Sequence, residues 1–146
     1  MNIIFLDFDG VTHPDRCDEY EEFKYMPFIE RTIKPFLGNW KVVISSNWRN
    51  THELESLKTF FSNDDVKCHV IGVTPKIGNS NNTLINRGKE IEKFIVDNNV
   101  KNYIIIDDQW KFLLPKQKKY AVITDSNKGF TNKSRNKFLK IINKVK

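Results

Sequence analysis

Long apolar runs are missing from this chain. No stretch of about 18 consecutive apolar residues occurs, so nothing in it reads as a helix able to cross a bilayer. Cysteine is almost absent too. Cys17 and Cys68 stand far apart and lack the spacing of a metal site. They read as reduced thiols of a cytoplasmic protein, which sets aside a disulfide framework and a zinc cluster. The N-terminal residues pass straight into a short apolar run carrying two acids, and so are not expected to act as a removable signal peptide. Internal repeats, low-complexity tracts and linkers are also lacking. The 146 residues therefore read as one domain, large enough for a proper core. Acidic residues are in the minority, 18 against 24 Lys and Arg, for a net charge of +6. Much of the excess lies in Lys116, Lys118, Lys119 and the segment 128–146. A basic surface of this kind favours polyanions, nucleic acid among them.

What is present is concentrated at the start. Ile3, Ile4, Phe5 and Leu6 read as a strand buried on both faces, and they run into Asp7-Phe8-Asp9-Gly10-Val11. Two carboxylates at the end of such a strand can cap a turn, since Asp and Gly are common turn residues. They can also do chemistry. Ligands of open α/β sheets sit beyond the carboxyl ends of strands. Paired acids there hold a hard cation, or act as nucleophile and general acid/base. Gly10 lets the backbone bend tightly or approach a bound group.

Five β-rich runs recur, at 2–6, 41–45, 66–71, 103–106 and 120–124. Between them, Asn50 with Glu53 reads as a capping box for a helix presenting Leu54, Leu57, Phe60 and Phe61. A second helix is expected over 88–98, burying Ile91, Phe94 and Ile95, and a third from Asn132 onward, burying Phe138, Leu139, Ile142 and Val145. Strands alternating with helices predict a parallel sheet covered on both faces. Two segments break the alternation. Residues 13–39 are aromatic and acidic, with Pro27 and Pro35 interrupting any long helix, and 74–86 is a polar, exposed loop.

The other strand ends carry chemistry as well. The second strand ends in Ser45-Ser46-Asn47-Trp48-Arg49, where hydroxyls and free backbone N–H groups before a helical turn form an anion cradle or a simple cap. The fourth ends in Asp107-Asp108, adjacent carboxylates that a metal would reconcile. Arg87 and Lys89 open the intervening helix and offer a cation to a phosphate or to Asp7.

This layout resembles the haloacid-dehalogenase-like (HAD) phosphohydrolase superfamily over almost the whole chain. More narrowly, Val43-Ile44-Ser45-Ser46-Asn47-Trp48-Arg49, Ile71-Gly72-Val73-Thr74-Pro75, Arg87-Gly88-Lys89-Glu90-Ile91 and Gly129-Phe130-Thr131 are similar to the HAD domain of Swiss Army Knife RNA-repair proteins. The resemblance implies a Rossmann-like three-layer α/β sandwich with a five-stranded parallel sheet in order 3-2-1-4-5. It makes Asp7 the nucleophile and Asp9 the general acid/base. Ser46 (or Ser45) and Arg87 (or Lys89) become phosphate-binding groups, with Gly10 and Asn47 beside them. It also implies Mg²⁺ held by Asp7, the backbone carbonyl of Asp9, and Asp108 or Asp107. For its role, Asp9 needs a carboxyl that is protonated near neutral pH.

Small-metabolite members commonly close the site with a cap domain. Here 13–39 has room for a flap with Tyr20, Phe23, Tyr25 and Phe28, but not for a folded cap. An open rim and a basic surface predict removal of a phosphate from a nucleic-acid end. Trp48 or Trp110 would stack on a terminal base or pack internally. The competing readings are a nucleotide or small-molecule phosphomonoesterase, and a nucleic-acid-binding or regulatory module without turnover. A receiver domain also groups acids at strand ends, but lacks the Ser-Ser-Asn-Trp-Arg feature.

Overall fold

A computed structural model describes residues 1–78 and 84–145. Its centre is a parallel sheet of five strands: β1 (Asn2–Leu6), β2 (Trp40–Ile44), β3 (Val70–Val73), β4 (Asn102–Asp107) and β5 (Ala121–Ile123), in order β3-β2-β1-β4-β5. This is the expected order 3-2-1-4-5. The helices are α1 (Met26–Ile33), α2 (Leu54–Lys58), α3 (Asp64–Lys67), α4 (Arg87–Asp97) and α5 (Asn132–Lys144).

Strand alternation divides the core into two. Ile4, Leu6, Val42, Ile44, Ile104 and Ile106 face α1, α2, α3 and α5, meeting Ile29, Leu57, Val66 and Phe138. Ile3, Phe5, Val43 and Ile105 point the other way, toward Ile91 of α4 and Leu113. The central strand is sealed, with Ile3 to Leu6 fully buried. Each such side chain contributes about 1.5–3 kcal/mol of burial.

Several elements differ from expectation for identifiable reasons. The run 66–71 is not one strand. Asn63 accepts N–H bonds from Asp65 (2.9 Å) and Val66 (3.3 Å), which caps α3, so Val66 is a buried helical residue and β3 starts only at Val70. No capping box joins Asn50 to Glu53. Ser46 caps a 3-10 turn over Asn47–Asn50, and Glu53 precedes the short α2 without a side-chain cap bond. Phe60 therefore lies beyond that helix and stacks on Phe23, with centroids 4.3 Å apart. Pro27 sits in the first turn of α1, where its missing N–H is harmless. In α5, Ile141 joins Phe138 and Ile142 in the core, while Leu139 and Val145 are only partly buried. Of the expected loop 74–86, residues 79–83 lie outside the described residues. Its start is anchored: Thr74 is buried, and the Ile77 N–H donates to Glu90 at 2.9 Å.

Candidate active site

Register builds the site. Leu6 of β1 pairs with Ile44 of β2 and Ile106 of β4, so the next residues, Asp7, Ser45 and Asp107, stand level at the carboxyl edge. They share the parity of Phe5, Val43 and Ile105, so they continue the sheet face toward α4. Arg87, first residue of α4, reaches them from that layer. The helix start can come this close because Gly88 has no side chain. A Cβ there would lie 2.8 Å from the Leu114 nitrogen and the Phe112 oxygen.

The result is a buried cluster of one cation and several acids. Arg87 Nη1 lies 2.5 Å from Asp107 Oδ2 and 3.4 Å from Asp7 Oδ1. Asp7, Asp107 and Asp108 bring carboxylate oxygens within 4.8 Å of one another. Burial pushes the Asp7 carboxyl well above the usual carboxylate range. Arg87 works against that, and Asp107 and Asp108 reinforce it. Burial and then Asp107 raise Asp108 as well. Burial alone would lower the pKa of Arg87, but Asp107 and Asp7 reverse it and keep the guanidinium charged. Three acids crowd one arginine in a confined place, and their ionisation together is opposed by burial and mutual repulsion that a bound cation would relieve. An all-oxygen donor set suits a hard divalent cation such as Mg²⁺.

Gly10 completes the cradle. Its φ is +76°, and a Cβ would collide with the Asp108 carboxylate. Both of its properties, the left-handed turn and the missing side chain, are therefore in use. Asp107 and Asp108 are placed differently. Both Asp107 oxygens are engaged, Oδ2 by Arg87 and Oδ1 by the Gln109 N–H at 2.9 Å. Asp108 lines a small pocket of about 90 Å³ with Asp7, Asp9, Asp15, Asn47, Arg87 and Gln109. Its Oδ2 accepts from Ser126 Oγ at 2.8 Å.

Asp9 sits apart from this cluster, and its surroundings were hidden in the sequence. His13 Nε2 lies 2.8 Å and Trp48 Nε1 3.0 Å from Asp9 Oδ1. The Phe23 N–H donates to His13 Nδ1 at 3.1 Å, which makes Nδ1 an acceptor and places the ring proton on Nε2, facing Asp9. Burial would raise the Asp9 carboxyl, but the bonds from His13 and Trp48 outweigh it and hold it below the ordinary carboxylate range. The side chain remains 49 % exposed. Asp9 thus departs from the expectation of a carboxyl protonated near neutral pH. An aromatic cluster fixes this geometry, with Phe8, Phe23 and Phe60 around Trp48.

The remaining expected residues divide. Asn47 lines the pocket. The Ser46 hydroxyl caps its turn, accepting the Trp48 N–H at 3.2 Å. The Ser45 hydroxyl is buried and, among the described residues, has no hydrogen-bond partner. Lys89 is exposed on α4, so the structure brings Arg87 and not Lys89 to the acids. Of the aromatics, Trp48 and Phe23 pack inside and Tyr20 is 84 % exposed. Sequence reasoning missed His13, Gln109 and Ser126 as neighbours of the acids, along with Trp48 as a donor. The His13 signal was available, four residues beyond Asp9. That of Ser126, 18 residues from Asp108, was not.

A doubly wound parallel sheet with acids at the ends of two neighbouring strands, β1 and β4, faced by a buried arginine, defines a Rossmann-like α/β protein built around an acidic centre. The chain belongs to the family described as the HAD domain in Swiss Army Knife RNA repair proteins, which matches residues 3–134. No curated protein and no solved structure matches it. Among the described residues, no helix is long and apolar enough to cross a membrane.

Proposed function

We propose that this protein is a Mg²⁺-dependent phosphohydrolase that removes a phosphate monoester from the end of a nucleic-acid strand. The observation that carries it is Asp7, buried between Arg87 and two further carboxylates at the mouth of the pocket. Family membership and the net charge of +6 support the nucleic-acid substrate.

The roles follow from position. Asp7 attacks phosphorus, forming an Asp7 acyl-phosphate bond as the bond to the leaving oxygen breaks. Arg87, 3.4 Å from Asp7, favours its ionised, nucleophilic form against the burial that opposes it. The negative charge of the entering phosphate offsets the donors that keep Asp9 ionised, so that Asp9 takes up a proton, passes it to the leaving oxygen, and later takes one from the water that hydrolyses the acyl phosphate. Because both of its donors fall on Oδ1, the carboxylate is oriented before substrate arrives. Asp7 and Asp108 would hold the ion with the Asp9 carbonyl, Asp107 being occupied by Arg87. Mg²⁺ bound there supplies positive charge to the phosphoryl oxygens. Asn47, the residue after Ser46, lies where those oxygens would enter.

Hydrolysis of an aryl phosphate should require Mg²⁺ and disappear in Asp7→Asn. Undiminished turnover in that variant removes Asp7 as nucleophile, and no turnover in the wild type leaves a non-catalytic module. For substrate class, oligonucleotides with 3′- or 5′-phosphates are compared with mononucleotides across a salt series. Preference for mononucleotides without salt dependence would identify a small-molecule phosphomonoesterase.

A further inference from the structure

Beside the acid pocket lies a second, much larger depression of about 870 Å³, along the edge strand β5 and the start of α5. Its character is the reverse of the first. Its floor is apolar, with Ile123 exposed, and its walls carry Lys118, Lys128, Lys133 and Lys137. One acid, Asp125, shares the lining. Among the described residues none of these four lysines is paired with a carboxylate, so all four charges are open to a polyanion, as are those of several lysines elsewhere on the surface. Trp110, 48 % exposed, stands at the same cleft with Lys118 Nζ 4.6 Å over its ring. Surface indoles are usually tucked in, and here a large flat ring is offered to solvent among unneutralised cations.

The two depressions adjoin. Gln109 lines the acid pocket and Trp110, the next residue, lines the cleft. Thr124 and Asp125 line the cleft, and Ser126, the next residue, bonds Asp108. The two depressions thus border one another along the loops that follow β4 and β5.

We propose that this cleft is the track for the single-stranded nucleic acid whose terminal phosphate enters the acid pocket, with Trp110 stacking on a base and the four lysines holding the backbone. This rests on the phosphohydrolase reading given above. Charge complementarity decides the occupant. An edge strand could also accept a protein strand by backbone pairing, but four unpaired lysines against one acid fit a chain with one negative charge per residue. Aromatic stacking combined with a cationic groove is the general means of binding single strands irrespective of sequence.

The test uses a fluorescently labelled single-stranded oligonucleotide with a terminal phosphate, its anisotropy followed across a salt series. Its turnover is measured alongside that of an aryl phosphate. In a variant with Lys118, Lys128, Lys133 and Lys137 all changed to Gln, the slope of log K against log salt should fall by about 0.7 per lysine removed. Trp110→Ala should weaken binding about tenfold at each salt concentration, with the slope kept. Both should leave aryl-phosphate turnover at the wild-type level, because none of these residues lines the acid pocket. If the wild type hydrolyses the oligonucleotide with strong salt dependence and the lysine variant shows the same slope and KM, the cleft is not the track and the phosphohydrolase reading survives. If the wild type neither binds nor hydrolyses the oligonucleotide, the cleft assignment and the nucleic-acid substrate both fall. Unchanged aryl-phosphate turnover in that case leaves the acid site standing.

Discussion

Arg49 and Arg87 are both buried arginines at the carboxyl edge of the sheet, and they are used in opposite ways. Arg49 makes a hydrogen bond from each of its three nitrogens. Nε reaches the Thr74 carbonyl at 2.9 Å, Nη1 those of Ser45 and Ser46 at 3.3 and 3.0 Å, and Nη2 that of Pro75 at 3.3 Å and Glu90 Oε1 at 2.8 Å. Four hydrogen bonds to backbone carbonyls are joined by one ion pair, so one guanidinium meets one carboxylate. Arg87 is different on both counts. Its Nη1 contacts both Asp107 and Asp7, while its Nε is buried and, among the described residues, has no partner. One positive charge confronts three acids. A charge matched by one carboxylate and held by backbone carbonyls is architecture; here Arg49 ties the loop after β2 to the loop after β3 and to α4. A charge with donors left over and acids in excess is prepared for further ions, a cation on one side and a phosphate on the other.

The largest expected effect breaks the Arg49 side. Arg49→Met leaves Glu90 buried without its cation and four carbonyls without their donor, and should destabilise the fold by about 3–5 kcal/mol in urea unfolding. Mg²⁺ should not restore that loss beyond the rise it gives the wild type. Arg87→Met should behave otherwise. Removing that cation deepens the negative charge on the acids, so its Mg²⁺-dependent recovery should exceed the wild-type rise. Equal Mg²⁺ responses in the two variants would remove the distinction between them.

The wild-type rise comes next in size. Binding to the folded state alone adds about 2.7 kcal/mol when free ion stands roughly a hundredfold above Kd, several degrees in Tm for a chain of this length. Chelation should reverse it. Asp108→Asn should lose it, and Asp107→Asn should keep more of it, since Asp107 is taken by Arg87. A larger loss in Asp107→Asn would exchange the two roles.

The same contrast shows what was legible in the sequence. Sheet order was implied by the family resemblance, whereas the placing of Asp7 and of the Asp107-Asp108 pair at strand ends was readable because parity follows from apolar runs of fixed length. Ser46, read as an anion cradle or a cap, has its hydroxyl in the cap. The run 66–71 misled because a single Asn63 cap outweighs the β-propensity of Val66. Arg49 was quoted only as part of a string, and its true office needs Glu90, 41 positions on, which no local pattern announces. The His13–Trp48 clamp on Asp9 likewise joins two loops through a packed aromatic cluster.

The smallest expected effect tests which basic residue of the Arg87-Gly88-Lys89 string matters. Lys89 is only two positions beyond Arg87, but on a helix that places it about 200° around the axis. It is exposed, while Arg87 is fully buried against the acids. Lys89→Ala should therefore change stability by no more than about 0.5 kcal/mol and leave aryl-phosphate turnover unaltered. Arg87→Lys keeps the charge but shortens the reach and loses the fixed planar group whose Nη1 contacts both Asp7 and Asp107, so its turnover should fall although its fold persists. If Lys89→Ala instead lowered turnover more than Arg87→Lys does, the phosphate-facing cation would be Lys89, and the idle donor of Arg87 would need another explanation.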